Sequence, residues 1–287
     1  MVRGLRTARR AVSKKLGGAD TTGPHCLVCR SGDVRSRKVT HQGTGRQRDV
    51  VVCRSCKYVA AAELVADRYR GKTSLDQLPV VGARAGTLDR PGREYQMARM
   101  ALGVLERATV DVLVYGAGRS MDNHHIADLE RVGHVAIGDI MNARDDMEFH
   151  DANLPATRTF DVVVASEVIE HFRDPHVNFE QLFQFLPDDG LLVCGTSLRG
   201  AAKLARQRYL FYPDHTSLYS PESLQHLARE HGMLVDFRRP AGLGPLKRYV
   251  LFTRSREVLD QVSRYFGYHP DAPSEKTLAA PEKSPAS

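Results

Sequence analysis

Four cysteines occur as two close pairs, a spacing that could bind a metal ion. Cys26 and Cys29 are separated by two residues, and Cys53 and Cys56 repeat that gap after 23 intervening residues. A two-residue gap lets both thiolates of a pair point at one ion, and two pairs complete a tetrahedral site. Four sulfur ligands leave no position for water, so the pattern predicts structural zinc. A redox pair or a disulfide is the alternative.

A second pattern could bind a nucleotide. The apolar run 109–115 ends in the turn 115–118 (Tyr-Gly-Ala-Gly), and a helix-like segment follows. Such a strand, turn and helix bring backbone amides close to a nucleotide. Asp139 ends the next apolar run, 21 residues after Gly118. A carboxylate at that place could accept hydrogen bonds from ribose hydroxyls.

Two further strand ends follow the glycine turn. Asp151 comes after a third short strand, and the segment 160–171 (Phe-Asp-Val-Val-Val-Ala-Ser-Glu-Val-Ile-Glu-His) indicates a fourth strand that runs into a polar loop. In this order and spacing, the motifs resemble the class I S-adenosylmethionine-dependent methyltransferases over roughly residues 93–254. Four separated motifs agree, which makes the resemblance specific.

The resemblance implies a role for each cofactor-binding position. The two glycines of the turn would approach the methionine part of the cofactor, Asp139 would hold the ribose, and Asp151 with the Ala152 amide would read the adenine. Ser120 stands where the family usually has a third glycine, and its Cβ would narrow the turn. The complete implied set is Tyr115, Gly116, Ala117, Gly118, Asp139, Ile140, Asp151, Ala152 and Ser166.

The elements that must position these residues predict an α/β fold. We expect a doubly wound, Rossmann-like methyltransferase sheet, mostly parallel with its last strand antiparallel, and a small N-terminal zinc ribbon. The predicted units are a basic flexible arm over 1–24, the ribbon over 25–60, a linker over 61–92, the methyltransferase domain over 93–268 and a disordered tail over 269–287. Ribbon strands are predicted at 34–40 and 48–52, core helices at 94–107, 175–186 and 221–231, and later strands at 191–195, 233–237 and 247–253. Asp174 and Ser220 are predicted to cap the second and third of these helices.

Methyl transfer from a sulfonium is an in-line displacement, so the protein chiefly aligns the reactants. A hydroxyl or amine acceptor must also lose a proton. His215, in a segment with aromatic neighbours, is the first candidate base, and His171 is the second. The alternatives are that His171 fixes its loop by hydrogen bonding and that His215 faces solvent. Glu167 and Glu170 could orient either imidazole or bind acceptor hydroxyls.

The charge is concentrated at the N-terminus. Residues 1–60 hold 14 Lys or Arg against 3 Asp or Glu, whereas the remainder holds 27 against 31. The first 15 residues carry six basic side chains and no acid, which fits a solvated tail, a short basic helix or an organellar transit peptide. No apolar run approaches the ~20 residues that cross a bilayer, and none follows the basic start as a secretory signal would. We therefore expect a cytoplasmic protein.

The acceptor has one leading identity and two alternatives. Proteins with a similar layout act on sugars, so we predict O-methylation of a sugar, a glycan or another small hydroxylated acceptor. The longer segments that sugar C-methyltransferases carry after their cysteines are not evident, which disfavours C-methylation. Ribosomal RNA base methylation is the first alternative, because a basic ribbon suits a phosphate backbone. A methyltransferase-like binding protein without activity is the second.

Overall fold

The computed structural model describes residues 25–64, 71–78, 85–200, 203–240 and 246–267. The predicted basic arm and tail, and two parts of the predicted linker, lie outside these ranges. The strands are β1 (Val34–Thr40), β2 (Gln47–Cys53), β3 (Val59–Ala61), β4 (Val110–Tyr115), β5 (Val132–Asp139), β6 (Glu148–Asp151), β7 (Val162–Ser166), β8 (Leu191–Ser197), β9 (Ser217–Leu218), β10 (Leu234–Arg238) and β11 (Lys247–Thr253). The helices are α1 (Arg93–Val104), α2 (Asp122–Ala127), α3 (Pro175–Phe183), α4 (Pro221–Glu230) and α5 (Arg256–Tyr265).

The larger of the two sheets confirms the predicted fold class. It has seven strands in the order β10-β11-β8-β7-β4-β5-β6. The five strands from β8 to β6 are parallel to one another, and β11 is antiparallel to both of its neighbours. The order doubles back at β4, so the carboxyl ends of β4, β5 and β7 meet at one edge.

The core is built by alternation along these strands. Val112 and Val114 of β4 belong to the apolar layer that contains α1, α2 and α5, while Leu113 and Tyr115 belong to the layer that contains α3 and α4. Successive strand side chains point to opposite faces, so a sheet covered by helices on both faces needs continuous apolar strands. The apolar runs in the sequence have this origin.

The cysteine-bearing segment forms the second sheet, which does not stand alone. Its four strands are antiparallel and lie in the order β1-β2-β3-β9, and β9 follows residue 215 in the chain. Val50, Val52 and Val59 of the ribbon pack with Leu210 and Phe211 in one buried cluster. The ribbon is therefore joined to the methyltransferase-like part by shared strand pairing and a shared core.

The predicted ends of the core helices differ from the observed ends by a few residues. α1 ends at Val104 and α3 at Phe183, each three residues earlier than predicted. The predicted caps are confirmed, because Asp174 accepts a hydrogen bond from the Val177 amide at 3.2 Å and Ser220 accepts one from the Ser223 amide at 3.1 Å. Within the described ranges, every helix is too short or too polar to span a bilayer.

Candidate functional site

The glycine turn after β4 lies at the edge where the parallel strands end. Gly116 has φ +69° and Gly118 has φ +52°, both in the left-handed region that favours glycine. A Cβ added to Gly116 would lie 2.6 Å from Cγ2 of Val168, whereas a Cβ on Gly118 would meet nothing within 4 Å. This turn and the loop after β7 therefore lie so close together that a side chain at position 116 would clash with Val168.

Asp139 faces the same turn from the end of β5. Its carboxylate accepts hydrogen bonds from the amides of Ile140, at 2.7 Å, and Gly118, at 3.4 Å. Burial raises the pKa of Asp139 to about 6, although these amides and the nearby Arg144 act in the opposite direction. A carboxylate beside the turn can accept hydrogen bonds from a vicinal diol.

The far side of the site lies at the end of β6. The Ala152 amide donates to the Asp139 carbonyl at 2.8 Å, so it is not free to read an adenine ring, and the expectation for that amide needs correction. Oδ1 of Asp151 accepts hydrogen bonds from the backbone amide and the side-chain amide of Asn153, and Ile140 is 41% exposed. The cleft between these elements is lined by Leu78, Gly118, Ile137, Asp139, Met141 and Phe149.

Two serines at this edge have different environments. Ser166, the last residue of β7, is buried, and its Oγ has no hydrogen-bond partner in the part of the chain that the structure describes. Such an orphaned polar atom is a feature of sites that a ligand completes. Ser120 instead donates a hydrogen bond to Glu94 of α1 at 3.1 Å. Its side chain therefore ties the turn to that helix.

The two histidines predicted from the sequence lie together, His171 in the loop after β7 and His215 just before β9. The ring centroids of His171 and His215 are 5.0 Å apart. His171 Nδ1 lies 3.0 Å from the Asp214 carbonyl oxygen, and His215 Nδ1 lies 2.9 Å from that of Tyr209. A carbonyl oxygen only accepts, so the Nδ1 atom of each ring carries a hydrogen. Burial and the neighbouring His171 lower the pKa of His215 to about 3.

The two predicted glutamates are held by different groups. Glu170 is completely buried, and it accepts hydrogen bonds from the Tyr209 hydroxyl and, at 3.2 Å, from Thr196 Oγ1. Burial raises the pKa of Glu170 to about 7. Glu167 has φ +58° and forms an ion pair with Lys247. Lys247 and Thr196 were not found from the sequence, because they reach the site only through the pairing of β11 and β8.

The cysteines form a compact cluster. Sγ of Cys26 lies 3.5 Å from that of Cys56, Sγ of Cys29 lies 3.5 Å from that of Cys53, and the four sulfurs lie within 4.8 Å of one another. Sulfurs bound to one tetrahedral zinc at 2.3 Å would be about 3.8 Å apart, so the cluster fits this ion.

The backbone of the two cysteine pairs repeats as well. The residue after each pair, Arg30 or Lys57, has a left-handed φ of +57° or +62°. The first cysteine of each pair donates its amide to the carbonyl five residues later, at Ser31 or Tyr58. Amides also donate to Sγ of Cys26 and of Cys53, each at 3.4 Å. Two equal turns with amides aimed at sulfur suit thiolates bound to a cation.

Comparisons with known proteins agree with this architecture. Residues 92–235, half of the chain, match a family described as a methyltransferase domain. No curated protein sequence matches the chain significantly.

Several solved structures are similar to part of the chain. The 1,6-didemethyltoxoflavin-N1-methyltransferase of Burkholderia thailandensis is 16% identical, with 55% of this chain and 75% of that chain covered and a TM-score of 0.41. The mitomycin 7-O-methyltransferase MmcR is 15% identical, with 56% and 54% covered and a TM-score of 0.45. The Bacillus subtilis YcgJ protein is 14% identical, with 57% and 100% covered and a TM-score of 0.44. These values carry no information about the substrate.

Proposed function

Because the chain belongs to the methyltransferase-domain family and is an S-adenosylmethionine-dependent methyltransferase, we propose that it methylates a hydroxyl group of a sugar, a glycan or another small hydroxylated acceptor. The observation that carries this proposal is the pair His171 and His215. Both imidazoles donate their Nδ1 hydrogen to a backbone carbonyl, and their ring centroids are 5.0 Å apart. The Nε2 of a neutral imidazole held in this way can accept the hydrogen of a hydroxyl group.

The proposed cofactor site follows the carboxyl edge of the large sheet. Gly116 and Gly118 lie against the methionine part, Asp139 accepts from the ribose hydroxyls, and Asp151 receives the adenine amino group. The orphaned hydroxyl of Ser166 supports this placement, because a bound cofactor would give it a partner. Tyr115, Ala117, Ile140 and Ala152 complete the proposed lining, with Ala152 contributing contact and not its amide.

The acceptor wall is aromatic. The His215 ring lies 4.3 Å from the Tyr209 ring and 5.0 Å from the Tyr212 ring, between centroids, and Tyr212 is 39% exposed. Aromatic faces suit the apolar C–H surface of a sugar ring, while the polar groups beside them suit its hydroxyls. The transfer joins the acceptor oxygen to the methyl carbon as the C–S bond breaks, and the electron pair of that bond returns to sulfur. The protein aligns these three atoms and directs the hydroxyl hydrogen toward His215 or His171.

We also propose that the four cysteines hold a structural Zn²⁺. Sulfur separations near the tetrahedral value, the repeated left-handed turns and the two amide contacts to sulfur support this assignment. The ion would supply folding energy to a sheet whose β1 strand has only one buried side chain, that of Val39.

A methyl-transfer assay tests the proposed acceptor class. We expect purified full-length protein to move a labelled methyl group from S-adenosylmethionine to nucleotide sugars or glycans, with a methyl ether as the product. His215→Ala should lower the rate by about 100-fold, within the usual contribution of a group that handles the proton. His226→Ala, on α4, is the matched control and should retain the wild-type rate.

RNA is the competing acceptor, because Arg35, Arg37 and Lys38 of β1 are exposed on the ribbon. Unmodified ribosomal RNA is therefore assayed in parallel. Methylation of an RNA base, with no transfer to hydroxylated small molecules, would replace the proposed function by this alternative. Absence of transfer to any acceptor, together with absence of cofactor binding in calorimetry, would support an inactive binding protein.

Cofactor affinity should depend on pH through Asp139. The pKa of Asp139 is raised by burial to about 6, so its carboxylate is ionised and accepts from the ribose above that pH, and it becomes protonated below it. We expect the Kd for S-adenosylmethionine to rise by up to about tenfold per pH unit below pH 6. Asp139→Asn should bind weakly, with little pH dependence. Calorimetry between pH 4.5 and 8 measures this pH dependence, because the range extends about one to two units on either side of the expected midpoint. A wild-type Kd that does not change with pH would refute the role of Asp139 in cofactor binding.

A further inference from the structure

Glu170, His171 and His215 form a cluster with the composition of a metal site. One ligand atom from each lies within 4.8 Å of the others, and Glu170 is completely buried. Two ligands bound to one first-row cation at about 2.1 Å can be at most about 4.2 Å apart. The 4.8 Å limit on the separations in this cluster is close to that value.

The imidazoles are already oriented as metal ligands are. Histidines that bind metals usually donate the hydrogen of the other ring nitrogen to a carbonyl or carboxylate, which fixes the tautomer. His171 does so to the Asp214 carbonyl and His215 to the Tyr209 carbonyl, at 3.0 and 2.9 Å. Both acceptors belong to one short segment, 209–214, so a single loop fixes the orientation of both rings.

The carboxylate is oriented in the same way. Tyr209 and Thr196 give hydroxyl hydrogens to Glu170, one to each oxygen, and their own oxygens lie 3.0 Å apart. Each carboxylate oxygen has a second lone pair that remains available. Hydroxyls supply no charge and the Arg93 guanidinium acts on Glu170 only through its field, so a cation bound directly to this completely buried carboxylate would stabilise its charge further.

We propose that Glu170, His171 and His215 bind a divalent first-row transition cation, such as Mn²⁺, Co²⁺ or Zn²⁺, to which the acceptor hydroxyl is coordinated. Two nitrogens and one oxygen favour such ions over Mg²⁺ or Ca²⁺, which take oxygen ligands. His171 is only partly buried, so the site borders solvent on one side and can admit an acceptor. The inference rests on the proposed function for the identity of that acceptor.

The ion would change how the hydroxyl is activated. A cation stabilises the alkoxide, so the hydroxyl hydrogen passes to solvent water while the oxygen remains bound. The oxygen then forms its bond to the methyl carbon, and the electron pair of the breaking C–S bond remains on sulfur as the neutral thioether. In this arrangement the two imidazoles act as ligands. The proton need not reside on either of them.

A cobalt titration tests the site without relying on turnover. Full-length protein with zinc in its cysteine site is titrated with Co²⁺. We expect one further equivalent to bind with weak ligand-field absorption, without the intense sulfur-to-cobalt charge transfer of a thiolate site. His215→Ala should weaken this binding by at least about tenfold, and Tyr209→Phe by about 10- to 100-fold, as losses of ligand support generally do. His226→Ala should bind as the wild type does.

The outcomes separate the metal site from the proposed function. Absence of the ligand-field absorption in the wild type, or equal cobalt affinity in His215→Ala, would overturn the site. Full methyl transfer in protein treated with a mild chelator, with the ribbon zinc still present, would also overturn it while leaving hydroxyl methylation intact. Cobalt binding that His215→Ala abolishes, with no transfer to any hydroxyl, would confirm the site and refute the acceptor.

Discussion

Replacing Gly116 with alanine is expected to weaken S-adenosylmethionine binding by about 100-fold. The residue has φ +69°, which costs an alanine about 1–2 kcal/mol. In addition, the new Cβ would lie 2.6 Å from Val168 Cγ2, so the turn or the loop after β7 must move. About 2.7 kcal/mol in total corresponds to that loss of affinity. Calorimetry with S-adenosylmethionine and with S-adenosylhomocysteine measures it.

Gly118→Ala is the matched control, because it shares the left-handed backbone but lacks the clash. Its φ is +52° and an added Cβ meets nothing within 4 Å, so we expect a loss of only about fivefold. Val168→Ala introduced beside Gly116→Ala should restore part of the affinity, since it removes the atom that the new Cβ meets. Equal losses in the two single variants, with no rescue in the double variant, would show that the close approach does not shape the site.

The sequence predicted those parts of the fold that depend on local pattern. The strands around Val112, Val163 and Val193 are continuous apolar runs because the sheet is covered on both faces, and their parallel order follows from the alternation of strand and helix. The caps Asp174 and Ser220 were predicted because capping uses residues within one turn of each other.

The parts that could not be predicted depend on contacts between distant segments. β9 has only two residues, too few to show the alternating pattern of a strand. It forms because Leu218 pairs with Val59 of β3, which belongs to the ribbon. The Ala152 amide donates to the Asp139 carbonyl because of the register in which β5 and β6 pair, and this register cannot be read from the sequence. His171 and His215 were found as separate candidates. Their proximity follows from the path of the 43 residues between them, which include a helix and a strand.

Removing the proposed zinc by Cys53→Ser is expected to abolish methyl transfer while leaving much of the cofactor affinity. Small cysteine-zinc sheets fold only with their ion, to which they owe about 10 kcal/mol or more. Loss of the ribbon would expose the cluster that Val50, Val52 and Val59 share with Leu210 and Phe211. We expect a transfer rate at least about 100-fold lower and a Kd for S-adenosylmethionine within about threefold of wild type, since the residues proposed to bind the cofactor belong to the other sheet. Cys194→Ala, a buried cysteine of β8 outside the cluster, should keep its zinc and its activity.

The reason for this selectivity is Arg48 of β2, whose guanidinium spans from the ribbon to the loop 209–215, where the proposed acceptor side chains lie. It donates hydrogen bonds to the carbonyls of Leu210, at 2.9 Å, Tyr212 and Pro213, at 3.2 Å. Those carbonyls lie between Tyr209, which holds Glu170, and His215. Through these hydrogen bonds, the ribbon holds the loop 209–215 in place. Arg48→Ala should therefore retain zinc and cofactor affinity but lower kcat by about tenfold or more, with partial recovery in Arg48→Lys. Wild-type kcat in Arg48→Ala, or normal transfer in Cys53→Ser, would mean that the ribbon and the acceptor site work independently.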